Sequence, residues 1–203
     1  MHTDRRITRT RRALYRALVD LTTAGGFEAV TVADLTGRAG VNRTTFYRHY
    51  QDKYVFVTTI VEQGLDRPVR ALRTAYRARS RVAQVYALEA VFGHVEQHRQ
   101  LYLALLGRRQ SPWFADWLHG YWRETTTSLL CEDPAHDVRD PRTGVAAVLA
   151  AHALIGAVSW WLEPDLPAPA SDMAEWYADF LRGGLSGLLA ADEAPPEVTV
   201  GIN

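Results

Sequence analysis

The chain has 203 residues, 47% of them hydrophobic, and its 23 Lys/Arg are balanced by 23 Asp/Glu. That length supports one sizeable core or two modest domains, and the apolar share excludes a disordered chain. A single cysteine, Cys131, excludes an intrachain disulfide framework and fits a reducing compartment.

Zero net charge conceals a gradient. Residues 1–53 hold ten Lys/Arg against five Asp/Glu, whereas residues 124–203 hold three against thirteen. A basic front and an acidic rear suit a protein of which one end meets phosphate. The start, Met1 to Arg12, is polar and Arg-rich with no apolar run behind it, unlike a secretory signal. No uninterrupted apolar stretch approaches the roughly 20 residues of a membrane span. Val145 to Leu162 comes nearest, but His152, Ser159 and many small residues mark it as a buried helix. A cytoplasmic chain without a membrane partner is expected.

In chain order, residues 7–24 carry Ile7, Leu14, Ala17, Leu18 and Leu21 as a helical stripe that Gly25-Gly26 ends. Arg5, Arg6, Arg9, Arg11, Arg12 and Arg16 crowd its start. Cations there oppose the helix dipole, so some of them are read as facing phosphate and others as a solvated face. Thr31-Val32-Ala33-Asp34 has the form of a capping box, with Thr31 as N-cap. A helix from about Val32 to Arg38 follows, and Gly40 supplies the left-handed turn into the next one.

The stretch from Gly40 to Lys53 is the most informative in the chain. Phe46 and Tyr50, four apart, share a face and hold it on a small core with Leu35 and Val41. Arg43, Thr44, Tyr47 and Arg48 fall on the opposite side. They offer guanidinium forks, a hydroxyl with a methyl, and a phenol, groups that bond base edges or phosphate. Two short helices joined by a Gly turn, the second polar outward, make a helix-turn-helix.

Asp52 reads as the N-cap of a long helix through Val55, Ile60, Val61, Leu65, Val69, Leu72 and Tyr76, kinked or broken at Pro68. Helices are expected at about Arg81 to Gln97, Arg99 to Leu106 and Trp113 to Leu130, the last opened by Ser111-Pro112. Glu132 to Arg142 is a polar loop. Two final helices, Thr143 to Leu162 and Ser171 to Leu189, flank the Pro-rich Glu163 to Ala170, and a frayed tail begins at Asp192. The fold class is all-α with about nine helices. Domains are expected at 1–53 (helix-turn-helix), 54–191 (effector binding and dimerisation) and 192–203 (tail).

No nucleophile elbow, H-E-x-x-H, Walker loop or dinucleotide fingerprint occurs, so a non-enzyme without cofactor or metal is expected. His94 and His98 are four apart, a spacing that can hold a metal, but the sequence places no third ligand. Cys131 stands in no motif.

The segment Gly26 to Leu35, followed by Ala39 to Lys53, resembles the amino-terminal domain of TetR-family transcriptional regulators. The resemblance is specific over about residues 7–60 and architectural beyond. It implies a cytoplasmic homodimer that binds a double-stranded DNA operator, usually a repressor released by a small ligand. The DNA-contacting set is then Thr31, Arg43, Thr44, Thr45, Tyr47, His49 and Lys53, with His49 and Lys53 at positions that meet phosphate. Some relatives carry a base-contacting Arg two residues past the Thr that starts the second helix. Here that position is Ala33, so no base contact is carried over from that helix.

The resemblance also implies dimerisation through the last two long helices. Ala146, Ala147, Ala150, Ala151, Ala153, Gly156 and Ala157 crowd the first, and Gly183, Gly184, Ser186 and Gly187 the second. Trp160, Trp161, Trp176 and Phe180 add apolar area. The middle helices, where the family holds its effector, are rich in aromatics. Phe92, His98, Trp117 and Tyr121 are the candidate effector residues, for a small hydrophobic molecule. The alternative reading is a helical small-molecule-binding or catalytic protein whose head only resembles a DNA reader.

Overall fold

The computed structural model describes residues 2–107, 111–134, 136–162 and 167–189, with side chains placed within 8–185 of those spans. Among the described residues there are nine α-helices, one short 3-10 turn and no strand. The helices are α1 (His2–Gly25), α2 (Val32–Ala39), α3 (Arg43–Tyr47), α4 (Lys53–Arg77), α5 (Arg81–Gln97), α6 (Arg99–Leu106), α7 (Pro112–Leu130), α8 (Pro141–Trp161) and α9 (Ala170–Leu189). The 3-10 turn, Phe27–Ala29, lies between α1 and α2. The expected tail from Asp192 lies outside the described residues.

The helix ends are set by local signals. Thr31 caps α2: its Oγ1 accepts from Asp34 N at 3.1 Å, while Asp34 Oδ2 accepts from Thr31 N at 3.0 Å. Asp52 Oδ1 accepts from Val55 N at 2.8 Å to start α4. Ser111 Oγ accepts from Phe114 N at 3.3 Å to start α7, with Pro112 in the first turn. Pro68 does not interrupt α4, which runs unbroken for 25 residues. The carbonyl that a proline ring crowds belongs to residue i−4, here the slim Gly64.

α1, α2, α3 and the first turns of α4 make a head in which α1 packs on α2 and on the 3-10 turn. In the body α5 packs between α4 and α9, and α8 between α7 and α9, while α6 joins the body to α1. One apolar cluster runs from Leu14, Phe27 and Phe46 through Leu65, Phe92 and Leu118 to Trp161 and Tyr177. α4 threads this core from end to end, so a displacement of its far half is felt at the head.

α8 exceeds the expectation drawn from the sequence. It is the one helix among the described residues that is long and apolar enough to cross a membrane. Its inner side, with Ala146, Ala147, Ala150, Ala151 and Leu154, is nonetheless buried against α7 and α9. Those alanines therefore serve close packing within the protomer, not an outer seam. Trp161 also turns inward, fully buried, with Nε1 donating to Ala168 O at 2.7 Å.

Candidate nucleic-acid interface

The turn between α2 and α3 follows from two residues. Gly40 adopts φ 63° and ψ 34°, the left-handed region where a side chain is disfavoured. Asn42 then caps α3, its Oδ1 accepting from Thr44 N at 2.8 Å. Phe46 is fully buried and meets Phe56 edge-on at 5.8 Å, and Tyr50 lies 4.7 Å from the same ring. α3 itself is only five residues long, shorter than the segment expected. Tyr50 still keeps a helical bond, its N donating to Phe46 O at 2.9 Å.

With Phe46 anchored, the helix must turn its other sides outward. Arg43, Thr44, Tyr47, Arg48 and His49 are all exposed, Tyr47 by 50%. Thr45 is half-buried and lines a groove of about 260 Å³ with Arg48, His49, Thr10 and Arg11. Hydroxyl, phenol, imidazole and two guanidinium groups are thus exposed together on this short segment. No carboxylate from α3 interrupts it, and a duplex groove would meet only donors and hydroxyls. Thr31 is exposed at the start of α2, but its hydroxyl donates to Asp34 Oδ2 at 2.6 Å and so is engaged in capping. That bond and its backbone partner hold the Asp34 carboxyl below the usual range.

Lys53 departs from the expectation that it faces phosphate. Its Nζ donates to Phe27 O and to Glu28 O, both at 2.9 Å. The same ammonium lies 4.6 Å from the Phe27 ring centroid and 5.1 Å from that of Tyr54. Burial lowers its pKa and the nearby Glu28 opposes that shift. The physical reason is the 3-10 turn, which no longer helix continues: Phe27 O accepts from Val30 N at 3.1 Å and still has a lone pair for the ammonium, as does Glu28 O. Lys53 ties α4 to the head.

The amino-terminal part, residues 11–58, matches the model of bacterial regulatory proteins of the tetR family, and residues 86–183 match that of a transcriptional regulator C-terminal region. The chain belongs to the TetR family of transcriptional regulators. FasR of Mycolicibacterium smegmatis, an HTH-type transcriptional activator, is 25% identical over 172 residues, covering 79% of this chain and 76% of FasR. The uncharacterised regulator YxbF of Bacillus subtilis is 36% identical over 62 residues, which are 30% of this chain and 16% of YxbF. Among solved structures, the fatty acid degradation regulator FadR of Bacillus halodurans superposes with TM-score 0.60 at 19% identity, covering 87% of this chain and 96% of that one. FadR of Thermus thermophilus, solved with lauroyl-CoA, gives 0.54 at 17% identity, covering 86% and 94%.

As a TetR-family regulator the chain was expected to gather Phe92, His98, Trp117 and Tyr121 round an effector. Of these four only Trp117 and Tyr121 are in ring contact, while Phe92 and His98 have other partners. Phe92 is fully buried and meets Trp161 edge-on at 5.6 Å and Tyr177 at 6.3 Å. Trp117 and Tyr121 stack on each other at 5.6 Å, both half-buried. On α7 the core stripe is Phe114, Leu118 and Trp122. Trp117 and Tyr121 each precede a stripe member by one residue, about 100° round the helix, which carries them to its flank. His98 sits at the head, its Nδ1 3.0 Å from Tyr15 Oη.

Two other spaces are apolar. A seam among Leu65, Val91, Tyr102, Leu118, Trp122 and Ile155 is closed down to about 10 Å³. A cleft of about 450 Å³ opens at the end of the body remote from α3, walled by Tyr76, Leu88, Leu130, Ala178, Leu181 and Leu185. Arg81, Arg182 and His136 also line it, and Asp179 bonds both Arg81 and Arg182.

The junction of head and body was not legible beforehand. Trp113 stacks on Phe27 at 5.5 Å and meets Tyr54 at 4.5 Å. Ser111 Oγ donates to Glu28 Oε1 at 2.5 Å while it caps α7. These partners lie 83 residues apart in sequence, so no local pattern announces them. His94 packs its ring against the bare Cα of Gly64 and lies 4.7 Å from His98. Burial, with the neighbouring His98, holds its pKa down at about 4.

Proposed function

We propose that this TetR-family regulator binds its operator as a homodimer and is released from it by a small hydrophobic effector, acting as a repressor. The observation that carries the DNA reading is the exposed face Arg43, Thr44, Tyr47, Arg48 and His49, held outward by buried Phe46. Membership of a family of DNA-binding regulators supports it over the reading of a helical enzyme or small-molecule carrier. FasR is named an activator. The sense of regulation depends on where an operator lies relative to a promoter, and a promoter–reporter assay decides it.

Dimerisation is supported by an uncovered apolar face. On α8, Val145, Val148, Leu149, Gly156 and Trp160 are exposed at helical spacing, the last by 51%. On α9, Trp176 and Phe180 are 55% and 53% exposed, next to exposed Gly183 and Gly184. Large apolar side chains left in water in a continuous stripe mark an interaction surface. A twofold-symmetric dimer built through this face presents two α3 helices, which have to lie about 34 Å apart, one turn of DNA, to enter successive major grooves.

The effector reading rests on the 450 Å³ cleft, a volume in the range of small-molecule sites. Its wall residue Tyr76 lies in the last turn of α4, and Lys53 at the first turn holds the head by two carbonyls. A ligand that wedges α4 from α9 would tilt this lever and change the spacing of the two heads. Substantial release needs a preference for the displaced state on the order of 10³-fold.

The experiment is a gel shift on the chain's own promoter region and on random duplex, with Arg43→Ala beside the unaltered protein. The expected loss is about 1–3 kcal/mol on the operator, with relaxed preference at one base pair. Equal loss on both duplexes would show that Arg43 reads no base.

A further inference from the structure

A second, larger groove lies between head and body, and it is built unlike the distal cleft. Its volume is about 640 Å³. One wall is α1, which contributes Arg11, Arg12, Tyr15 and Arg16; α4 contributes Gln63 and Gly64, and Gln97 and His98 close it at the end of α5. Among the described residues no carboxylate lines it, and no ion pair engages Arg11, Arg12 or Arg16. Arginines elsewhere on this surface do find carboxylates, as Arg38 finds Asp20 at 2.9 Å and Arg79 finds Asp133 at 2.8 Å. Three guanidinium groups gathered at one concavity without a counter-charge repel one another, and an anion would relieve that repulsion.

The floor of the groove is organised. Tyr15 Oη holds His98 at Nδ1, 3.0 Å away, and the two rings meet edge-on at 5.5 Å. That contact fixes the imidazole and leaves its Nε2 as the second ring nitrogen. Directly behind lies His94, against Gly64 and His98, which both line the groove. His94 is only 7% exposed and its Nε2 has no partner. Burial first, then the Arg11 charge, lowers the pKa of His98. No residue of α3 lines it, although Arg11 and Gln63 also border the groove that holds Thr45, Arg48 and His49.

We propose that this groove is a binding site for a small polyanion bearing phosphate or carboxylate groups. Guanidinium forks suit both, since each accepts paired N–H donors side by side. Arg12 and Arg16, one helical turn apart on α1, would grip the charged groups, with Gln97 and His98 as neutral donors opposite. The bound molecule would span α1 of the head and α5 of the body, the pair already joined by Tyr15 and His98. Its occupancy would therefore stiffen the head against the body and couple to operator binding. This proposal is independent of the distal cleft.

The test is calorimetric titration of the full chain at low ionic strength with sodium pyrophosphate and, separately, with sodium citrate. Arg12→Gln combined with Arg16→Gln, and Arg139→Gln as a remote exposed control, are titrated alongside. Saturable binding of one anion per chain is expected, weakened at least tenfold by the double substitution and unaffected by Arg139→Gln. Binding of pyrophosphate alone assigns a phosphate ligand, and binding of citrate alone a carboxylate one. No saturable binding of either, or an equal loss with Arg139→Gln, overturns the site. Because Arg12 and Arg16 are exposed and unpaired, circular dichroism should show the double variant folded. Should it unfold, His98→Gln supplies the same comparison.

Discussion

Replacing Lys53 by methionine separates the two roles a lysine can have at the start of α4. Methionine keeps the apolar stem but removes the ammonium that bonds Phe27 O and Glu28 O at 2.9 Å each. Hydrogen bonds from a charged donor contribute about 1.5–3 kcal/mol apiece, and a cation over an aromatic ring adds about 0.5–1 kcal/mol. Against this stands the cost of burying the ammonium, since Lys53 is only 9% exposed. Phe27 O also keeps its bond from Val30 N at 3.1 Å, so one carbonyl is not orphaned. The net loss should be about 2–3 kcal/mol, or roughly 4–12 °C in Tm for a chain of this size. Differential scanning calorimetry without DNA reads it directly. A phosphate-contacting lysine would behave otherwise: Tm would hold, and the slope of log affinity against log salt would flatten by about one unit. An unchanged Tm together with a flattened slope would refute the clamp.

Gly64→Ala puts a Cβ 2.0 Å from His94 Cε1. Overpacking of this kind costs about 1–3 kcal/mol, more than the helix gains from alanine; His94→Ala in the same chain should restore most of the loss, and additive losses would show that the two do not touch. The buried His94 is held neutral in the fold, with a pKa near 4 against an ordinary 6.5. The unfolded chain thus binds the extra proton first, and stability present above pH 6.5 is lost as pH falls towards 4, by at most about 1.4 kcal/mol per pH unit from this group. Denaturant titrations between pH 6.5 and 5 should show a shallower decline for His94→Gln, and identical slopes would remove His94 from the account. Gly156 is exposed with nothing within 4 Å of an added Cβ, so Gly156→Arg should leave the protomer folded and yet give a monomer in light scattering. A dimer of normal stability would place the interface elsewhere.

What the sequence determined by itself was everything encoded within a few turns of chain. Thr31 with Asp34, Asp52 and Ser111 named three helix starts because an N-cap bonds an amide two or three residues away. Gly40 named the turn, and the four-residue interval from Phe46 to Tyr50 named the side of the motif that faces the core. The face of Arg43, Thr44 and Tyr47 followed by exclusion, and that local face is what made the family legible. Only the tertiary structure decided where Lys53 spends its charge, because the carbonyls that capture it belong to a turn 25 residues earlier. The same holds for Glu28 on Ser111, and for Tyr15 on His98, each separated by 83 residues. Trp117 and Tyr121 lie on the flank of α7 for a related reason. An aromatic pair at helical spacing shows that a stripe exists, but a single residue of phase decides whether it meets the core. That phase is fixed by the helices packed against α7, and the α7 sequence alone does not contain them.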